Sequence, residues 1–284
     1  MDFAMKDKVV VVTGATSGIG EVAADRLAQK GARIVFVARD HERGEAARKH
    51  FRAIAAHTDH TVHYADLTSL AEQKRVAKAI ADSEPQIDVL INNAGAMFTT
   101  RQQTPDGLEK TFALNHMSYF TITNILLDRL KATPGARIVS TASDAHRGMK
   151  LNFDDLQSTH GFSGWAAYGR SKLMNILFTR ELAKRLAGTG VTANCLHPGF
   201  VGTRFGQNNA GFMGWAIKIA QNFALTPEQG AETIIYLSSS DDVAGKTGGY
   251  YEKKALATPS KAAQNEADAK RLWDISAKLA GLGF

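Results

Sequence analysis

The chain has 284 residues, 44% hydrophobic and 22% charged, with 25 Gly, 6 Pro and one Cys. These values exclude a disordered, collagen-like or low-complexity polymer, and at this length one α/β unit buries roughly three quarters of its unfolded surface without disulfide staples. The formal net charge of +6 comes from 34 Lys and Arg mixed among 28 Asp and Glu with no run of four basic residues, which suits a phosphate-bearing small ligand and argues against nucleic acid.

The opening MDFAMKDKVVVVTG carries charges on both sides of a short apolar run and no small-residue cleavage site, so it reads as a first strand and not a signal peptide. A membrane span needs about 18 to 20 consecutive apolar residues, and none is found. The longest uncharged window, Thr111 to Leu127, is broken by Asn115, His116, Ser118, Thr121, Thr123 and Asn124.

Along the chain, short runs rich in Val and Ile alternate with segments of helical period. Lys8 to Thr13 is near-continuously apolar, as a strand buried on both faces would be. Gly20 to Lys30 follows, with Val22, Ala23, Leu27 and Ala28 on one helical face and Gly31 as a stop. Further strands are expected at 32–37, 61–66, 89–92, 137–140 and 191–196, with helices over 41–56 and 70–83. This alternation predicts right-handed βαβ units, hence one parallel sheet covered by helices on both faces. No linker or internal repeat divides the chain, so residues 1–284 are expected to form one domain. In such sheets ligands sit outside the carboxyl ends of the strands, which makes the motifs there the ones to read.

Thr13-Gly14-Ala15-Thr16-Ser17-Gly18-Ile19-Gly20 follows the first strand and opens a helix. Glycines allow the turn to bend tightly and bring backbone N–H groups close to a pyrophosphate, which rests at the positive helix N-terminus. The second strand ends in Ala38-Arg39-Asp40. An acid at that point would accept the ribose hydroxyls of NAD, whereas Arg39 offers a guanidinium to a 2′-phosphate, so the pattern predicts a preference for NADP(H). A surface pair with Asp40 is the plainer reading of Arg39. At the third strand end, Asp66-Leu67 is placed to meet the adenine, with a helix cap as the alternative; Thr68 and Ser69 compete for that cap. At the fourth, Asn92-Asn93-Ala94-Gly95 either ties neighbouring strands or touches the cofactor ribose, and both roles are compatible.

Tyr168 and Lys172 stand four residues apart in a helical stretch, so both side chains share one face. A phenol titrates near ~10, too high for ready proton exchange at neutral pH. A neighbouring ammonium favours the phenolate, and a shift of about three pH units needs roughly 4 kcal/mol of differential interaction.

Taken in order, Gly14, Gly18 and Gly20, then Asn92-Asn93-Ala94-Gly95, Ser143 and Tyr168-x3-Lys172 resemble the short-chain dehydrogenase/reductase family over nearly the whole chain. The stretch from Tyr168 to Leu182, Leu196-His-Pro-Gly199 and Arg271-Leu-Trp-Asp-Ile-Ser276 are similar to its retinol-dehydrogenase-like branch. So is the long gap between Ser143 and Tyr168, with Asn152-Phe-Asp-Asp-Leu156 inside it. The resemblance implies a Rossmann-type doubly wound sheet and an oxidoreductase transferring a hydride between NADP(H) and a carbonyl or alcohol carbon. It casts Tyr168 as general acid and base, and Lys172 as the group that lowers the Tyr168 pKa and holds the nicotinamide ribose. Ser143 would bind the substrate oxygen, and Asn115 would order a relay water. For the cofactor it implies contacts from Gly14, Thr16, Ser17, Gly18, Ile19, Gly20, Arg39, Asp66, Leu67, Asn93, Ala94, Gly95, Tyr168, Lys172, Pro198, Gly199, Val201 and Thr203. Ala142 stands where the family often has a second serine. Set against that branch, the chain is expected to do without the usual N-terminal membrane anchor, and a cytoplasmic homodimer or homotetramer is expected.

Other signals carry less. His57, His60 and His63 straddle a predicted strand and lack a completing carboxylate, so no metal is expected. Gly245-Lys246-Thr247 lacks the upstream glycine and strand of a phosphate loop. Cys195 falls in a buried strand and reads as an inert core thiol. Residues 200–225, crowded with Phe200, Phe205, Phe212, Met213, Trp215, Ile217, Ile219 and Phe223, suggest a lid over an apolar substrate pocket; a packed helix and a membrane-surface contact are the alternatives. The expected function is reduction or oxidation of a fairly apolar small carbonyl or alcohol. Two alternatives are a silent NADP(H)-binding sensor or scaffold, which would not need Asn115, Ser143, Tyr168 and Lys172 together, and a nucleotide-sugar epimerase or dehydratase, which the modest C-terminal length disfavours.

Overall fold

The computed structural model describes residues 4–56, 58–200 and 225–283. His57, Val201, Thr203 and residues 201–224 of the lid expectation lie outside the described residues.

Four consecutive valines and Thr13 form β1 (Val9–Thr13), in which Val10, Val11 and Val12 are fully buried. It pairs in parallel with β2 (Arg33–Ala38) on one side and β4 (Val89–Asn92) on the other. Outward from these lie β3 (Thr61–Tyr64), β5 (Arg137–Thr141), β6 (Thr192–His197), β7 (Tyr250–Glu252) and β8 (Ala255–Ala257), in the order β3-β2-β1-β4-β5-β6-β7-β8. Strand order reverses between β1 and β4, the crevice-forming point of a doubly wound sheet. The expected all-parallel sheet holds for seven strands; β8 runs antiparallel to β7 and closes the edge as a short hairpin. Its three residues were too short a run to stand out by periodicity.

The sheet separates two apolar layers. On one face α1 (Gly18–Gln29), α2 (His41–Ile54) and α8 (Pro227–Ser239) cover Val10, Val12, Ile34, Phe36 and Leu196. On the other lie α3 (Leu70–Ser83), α4 (Lys110–Phe112), α5 (Ser118–Ile125), α6 (Leu127–Lys131), α7 (Gly164–Arg185) and α9 (Glu266–Ala280). α7 and α9 meet through an aromatic cluster in which Phe178 stacks on Trp273 at 5.8 Å and Phe120 meets Trp273 edge-on at 4.9 Å. Cys195, in β6, is buried, and burial pushes its thiol up to about 12. Among the described residues no helix is long and apolar enough to cross a membrane.

His116 sits inside this layer, fully buried, against Phe112, Phe120 and Phe178. Its Nε2 lies 2.8 Å from Ser276 Oγ, and burial drives the imidazole down to about 3 from an ordinary 6.5. The unfolded chain therefore binds a proton below 6.5 that the folded protein refuses until about 3, so the stability this neutral histidine contributes is complete above 6.5 and is lost as pH falls. We expect His116→Leu to flatten the acid limb: between pH 6 and 4 the urea-unfolding free energy of the unsubstituted protein should fall about 1.4 kcal/mol per pH unit more steeply than that of the variant. Equal slopes would contradict this assignment.

Candidate active site

β1 hands over to α1 through two glycines in the left-handed region, Gly14 at φ 75 and Gly18 at φ 62. Gly20 is required for a different reason, since a Cβ there would lie 2.2 Å from the Gly14 carbonyl oxygen and 2.3 Å from Asn93 Nδ2. Ser17, the N-cap of α1, makes no side-chain cap, whereas α2, α3, α7, α8 and α9 are each capped by their own Asp40, Ser69, Ser163, Thr226 or Asn265. The first-turn amides of α1 are thus left to an external acceptor, as an anion site needs.

The loop after β4 is fixed over this turn. Thr13 Oγ1 accepts the backbone N–H groups of Asn93 and Ala94 at 3.0 and 3.1 Å. Asn93 donates to the Gly14 carbonyl at 3.2 Å and accepts from the Thr141 hydroxyl at 3.2 Å, while Asn92 donates to Thr123 at 2.9 Å. Asn93 thus ties the end of β1 to β5, and Asn92 ties β4 to α5. Asp66 is not the cap of α3: its Oδ1 accepts the N–H and hydroxyl of Thr68, and Ser69 caps the helix. Leu67 beside it is buried. Asp40 accepts the Arg43 N–H at 2.8 Å as the cap of α2, and among the described residues Arg39 forms no ion pair with it. Arg39 is exposed at the β2 end, and Arg43 Nη2 donates to the Thr16 carbonyl at 2.8 Å, so a second guanidinium flanks the glycine loop. The i+3 cap geometry places Arg43, and no sequence motif marks it. Pro198 and Gly199 follow β6, with Gly199 at φ 85 and the Phe200 carbonyl accepting from Leu225 N–H at 2.7 Å.

Asn115 lies in a single π-helical turn, Ala113–Met117, inserted between α4 and α5. Such a turn widens the helix locally and turns a side chain inward. Asn115 accepts the Ala96 N–H at 2.9 Å, donates to the Ala96 carbonyl at 2.9 Å and donates to Ser171 Oγ at 3.0 Å. It locks the loop after β4 onto α7, one residue from Lys172.

On α7, Tyr168 and Lys172 share the face toward β5. Lys172 Nζ donates to the Thr141 carbonyl at 3.1 Å and stands 5.5 Å from the centre of the Tyr168 ring. The Ser143 side chain lies close enough to the Tyr168 phenol to favour its ionised form. Gly95 faces the same space, where a Cβ would come within 3.2 Å of Asn115 Oδ1 and 3.5 Å of Lys172 Nζ. The electrostatics differ from the sequence expectation. Burial pushes Tyr168 up to about 12, with the Ser143 side chain pulling the other way, and burial lowers Lys172 to about 7. Desolvation penalises both charged forms, so in the protein by itself the ammonium does not win over the phenol.

Removing the Asn115 side chain strands the N–H and carbonyl of Ala96 and takes from Ser171 Oγ the N–H it accepts, while the Ser171 hydroxyl keeps its bond to the Tyr168 carbonyl. Asn115→Leu should cost about 2 kcal/mol or more in urea unfolding, because a partly buried donor and acceptor both lose their partners. A loss below about 0.5 kcal/mol would show that the loop is held otherwise.

Residues 8–212 match the family model for short chain dehydrogenases. The chain is 39% identical to human retinol dehydrogenase 11 over 275 residues, covering 97% of this chain and 86% of that protein. It is 40% identical to mouse retinol dehydrogenase 14 over 299 residues, covering 98% and 87%. Among solved structures, an uncharacterized protein from Mycobacterium Paratuberculosis superposes with a TM-score of 0.79 at 32% identity, covering 98% of this chain and 95% of that one. The RhlG/NADP active-site complex of Pseudomonas aeruginosa superposes at 0.70 with 26% identity, covering 92% and 98%. A glycine turn at the switch point, with Asn115, Ser143, Tyr168 and Lys172 gathered beside it, thus sits in a chain that belongs to the short-chain dehydrogenase family, in its retinol-dehydrogenase-like branch, and is an oxidoreductase.

Proposed function

We propose that the protein transfers a hydride between NADP(H) and the carbonyl or alcohol carbon of a fairly apolar small molecule. The observation that carries this reading is the convergence of Tyr168, Ser143 and Lys172 beside the crevice at the carboxyl ends of β1, β4 and β5. The pyrophosphate would lie on the uncapped amides of α1 and the loop from Gly14 to Gly20, with Arg39 on the 2′-phosphate and Asp66 and Leu67 by the adenine. Asn93, Ala94 and Gly95 would border the nicotinamide ribose, and the absent Cβ at Gly95 leaves the approach to Lys172 open. Pro198 and Gly199 would flank the ring, with Val201 and Thr203 following them in sequence. When bound, the nicotinamide supplies or accepts the hydride.

In reduction, Tyr168 gives its phenolic proton to the substrate oxygen, and Ser143 steadies the negative charge that grows there. Oxidation runs the same proton in reverse. Lys172, whose ammonium is destabilised by burial, would regain its charge beside an anionic dinucleotide and would then favour the phenolate. Trp165, 53% exposed, lies 6.3 Å ring to ring from Tyr168, and Phe200 is 54% exposed after Gly199. Exposed aromatics at this mouth support an apolar substrate, as does the kinship with retinol dehydrogenases. All eight strands among the described residues belong to one sheet, which supports reading residues 1–284 as one catalytic domain. Because all four polar side chains converge, a silent NADP(H) binder has no observation in its favour.

Two measurements check this. In fluorescence titration NADPH should bind at least about tenfold tighter than NADH, and Arg39→Ala should erase most of that margin, as expected for a charge-assisted hydrogen bond of about 1.5–3 kcal/mol. Equal affinities in the unsubstituted protein would refute the NADP(H) preference. With a panel of aldehydes and ketones followed at the NADPH absorbance, Tyr168→Phe should lower kcat by about 100-fold or more. Retention of more than about a tenth of the turnover would exclude Tyr168 as the main proton donor.

A further inference from the structure

Ser143 lies on the short connection after β5, where no regular element holds it: it caps only a three-residue 3-10 turn, Asp144–His146. Its hydroxyl accepts the Ala145 N–H at 3.2 Å and so has a fixed local geometry, yet the turn itself needs an anchor. Two histidines that the hydride-transfer chemistry does not use supply one. His146, fully buried, lies with Nδ1 2.7 Å from the Ser143 carbonyl oxygen. Its Nε2 accepts the Ser260 N–H at 3.0 Å. From the end of β6, His197 Nδ1 accepts the Asp144 N–H at 3.3 Å.

The Ser143 carbonyl and the Asp144 N–H belong to the same peptide group. We infer that His146 and His197 clamp this one peptide plane from its two ends and are positioning residues for the Ser143 hydroxyl.

The hydrogen-bond polarity fixes both rings. A carbonyl only accepts, so His146 Nδ1 carries the proton, and Nε2, facing an N–H, is bare. His197 meets an N–H at Nδ1, so that nitrogen is bare and its proton sits on Nε2. The two imidazoles are therefore neutral and in opposite tautomers. Burial favours both neutral forms, against the pull of the Ser143 carbonyl and Asp144 on His146 and of Asp144 and Glu252 on His197; Arg147 adds to the preference at both rings and Lys253 at His197. Asp144 is held in turn by Tyr250 Oη at 2.8 Å and Arg147 Nε at 2.9 Å, both on Oδ1. Asp144, His197 and Glu252 bring ligand-type atoms within 4.8 Å of one another, but neither nitrogen of His197 has a lone pair to spare for a cation while the clamp is closed. The clamp joins the carboxyl ends of β5 and β6 and the segment at Ser260 to the same peptide. A displacement of Ser143 by about 1 Å is enough to cost on the order of 100-fold in rate.

This inference rests on the role proposed for Ser143, and its test separates the two. In nitrogen-15 spectra of the full-length protein at neutral pH, His146 should show the Nδ1–H tautomer and His197 the Nε2–H tautomer; the opposite tautomer or a cation at either ring overturns the clamp without reference to turnover. In kinetics, His197→Leu should lower kcat about tenfold or more, with the NADPH dissociation constant unchanged within about twofold. His197→Asn, whose amide oxygen reaches the place of Nδ1, should restore kcat to within about threefold of the unsubstituted protein. In a Ser143→Ala background the His197→Leu substitution should cost less than about twofold more, because its effect passes through the missing hydroxyl. A Leu variant as active as the parent, an Asn variant no better than Leu, or a full additional loss in the Ser143→Ala background overturns the positioning role. If Ser143→Ala alone keeps full turnover, it is the role of Ser143 in the reaction that fails, while the tautomers still report on the clamp.

Discussion

Lys172 brings its ammonium to a place where only 3% of the residue remains accessible, with the Thr141 carbonyl at 3.1 Å as its acceptor. A cation desolvated to that extent is held against a cost on the order of several kcal/mol. The surrounding structure fixes the lysine without relieving that cost. β5 supplies the carbonyl, Asn175 competes for the same oxygen as a second donor at 3.3 Å, and the π turn carrying Asn115 pins the neighbouring Ser171. The lysine is thereby aimed rather than merely buried: its reach ends beneath the Tyr168 ring and beside the gap left by Gly95.

The sheet's topology explains why these groups meet. Reversal of strand order at β1 and β4 opens a crevice, and β5 adds its carboxyl end to the same rim. One wall is backbone, with glycines at Gly14, Gly18 and Gly20 exposing amides at a helix start that no side chain caps. The other wall is side chain, projected from α7 and from the loop after β5. An anionic dinucleotide would bridge the two walls, satisfying the amides on one and the lysine on the other. The charge that is costly in the protein by itself is, on this account, what makes the site selective for an anion and then useful to the phenol.

Much of this was legible in the residues. Unbroken valines in β1 signalled a strand buried on both faces, and the glycine turn gave the start of α1 within two residues. Tyr168 and Lys172, four apart, had to share a helical face. Less visible were features that depend on long-range contacts. The π turn at Asn115 has no sequence period of its own, and it became apparent only from its bonds to Ala96 and Ser171. Arg43, His146 and His197 look like ordinary polar residues until the fold brings Thr16, Ser143 and Asp144 to them. The direction in which Tyr168 and Lys172 are shifted was also hidden, because spacing reports proximity and says nothing of how much water the pair retains.

The most direct test is the ionisation of Tyr168 itself, followed by carbon-13 labelling at the tyrosine ring carbon that bears the hydroxyl, in protein saturated with NADP+. The account predicts that Tyr168 ionises well below the ordinary phenol value of about 10 in the loaded protein, and that Lys172→Met abolishes this lowering. A Tyr168 hydroxyl that stays protonated above that value in the loaded, unsubstituted protein would contradict it.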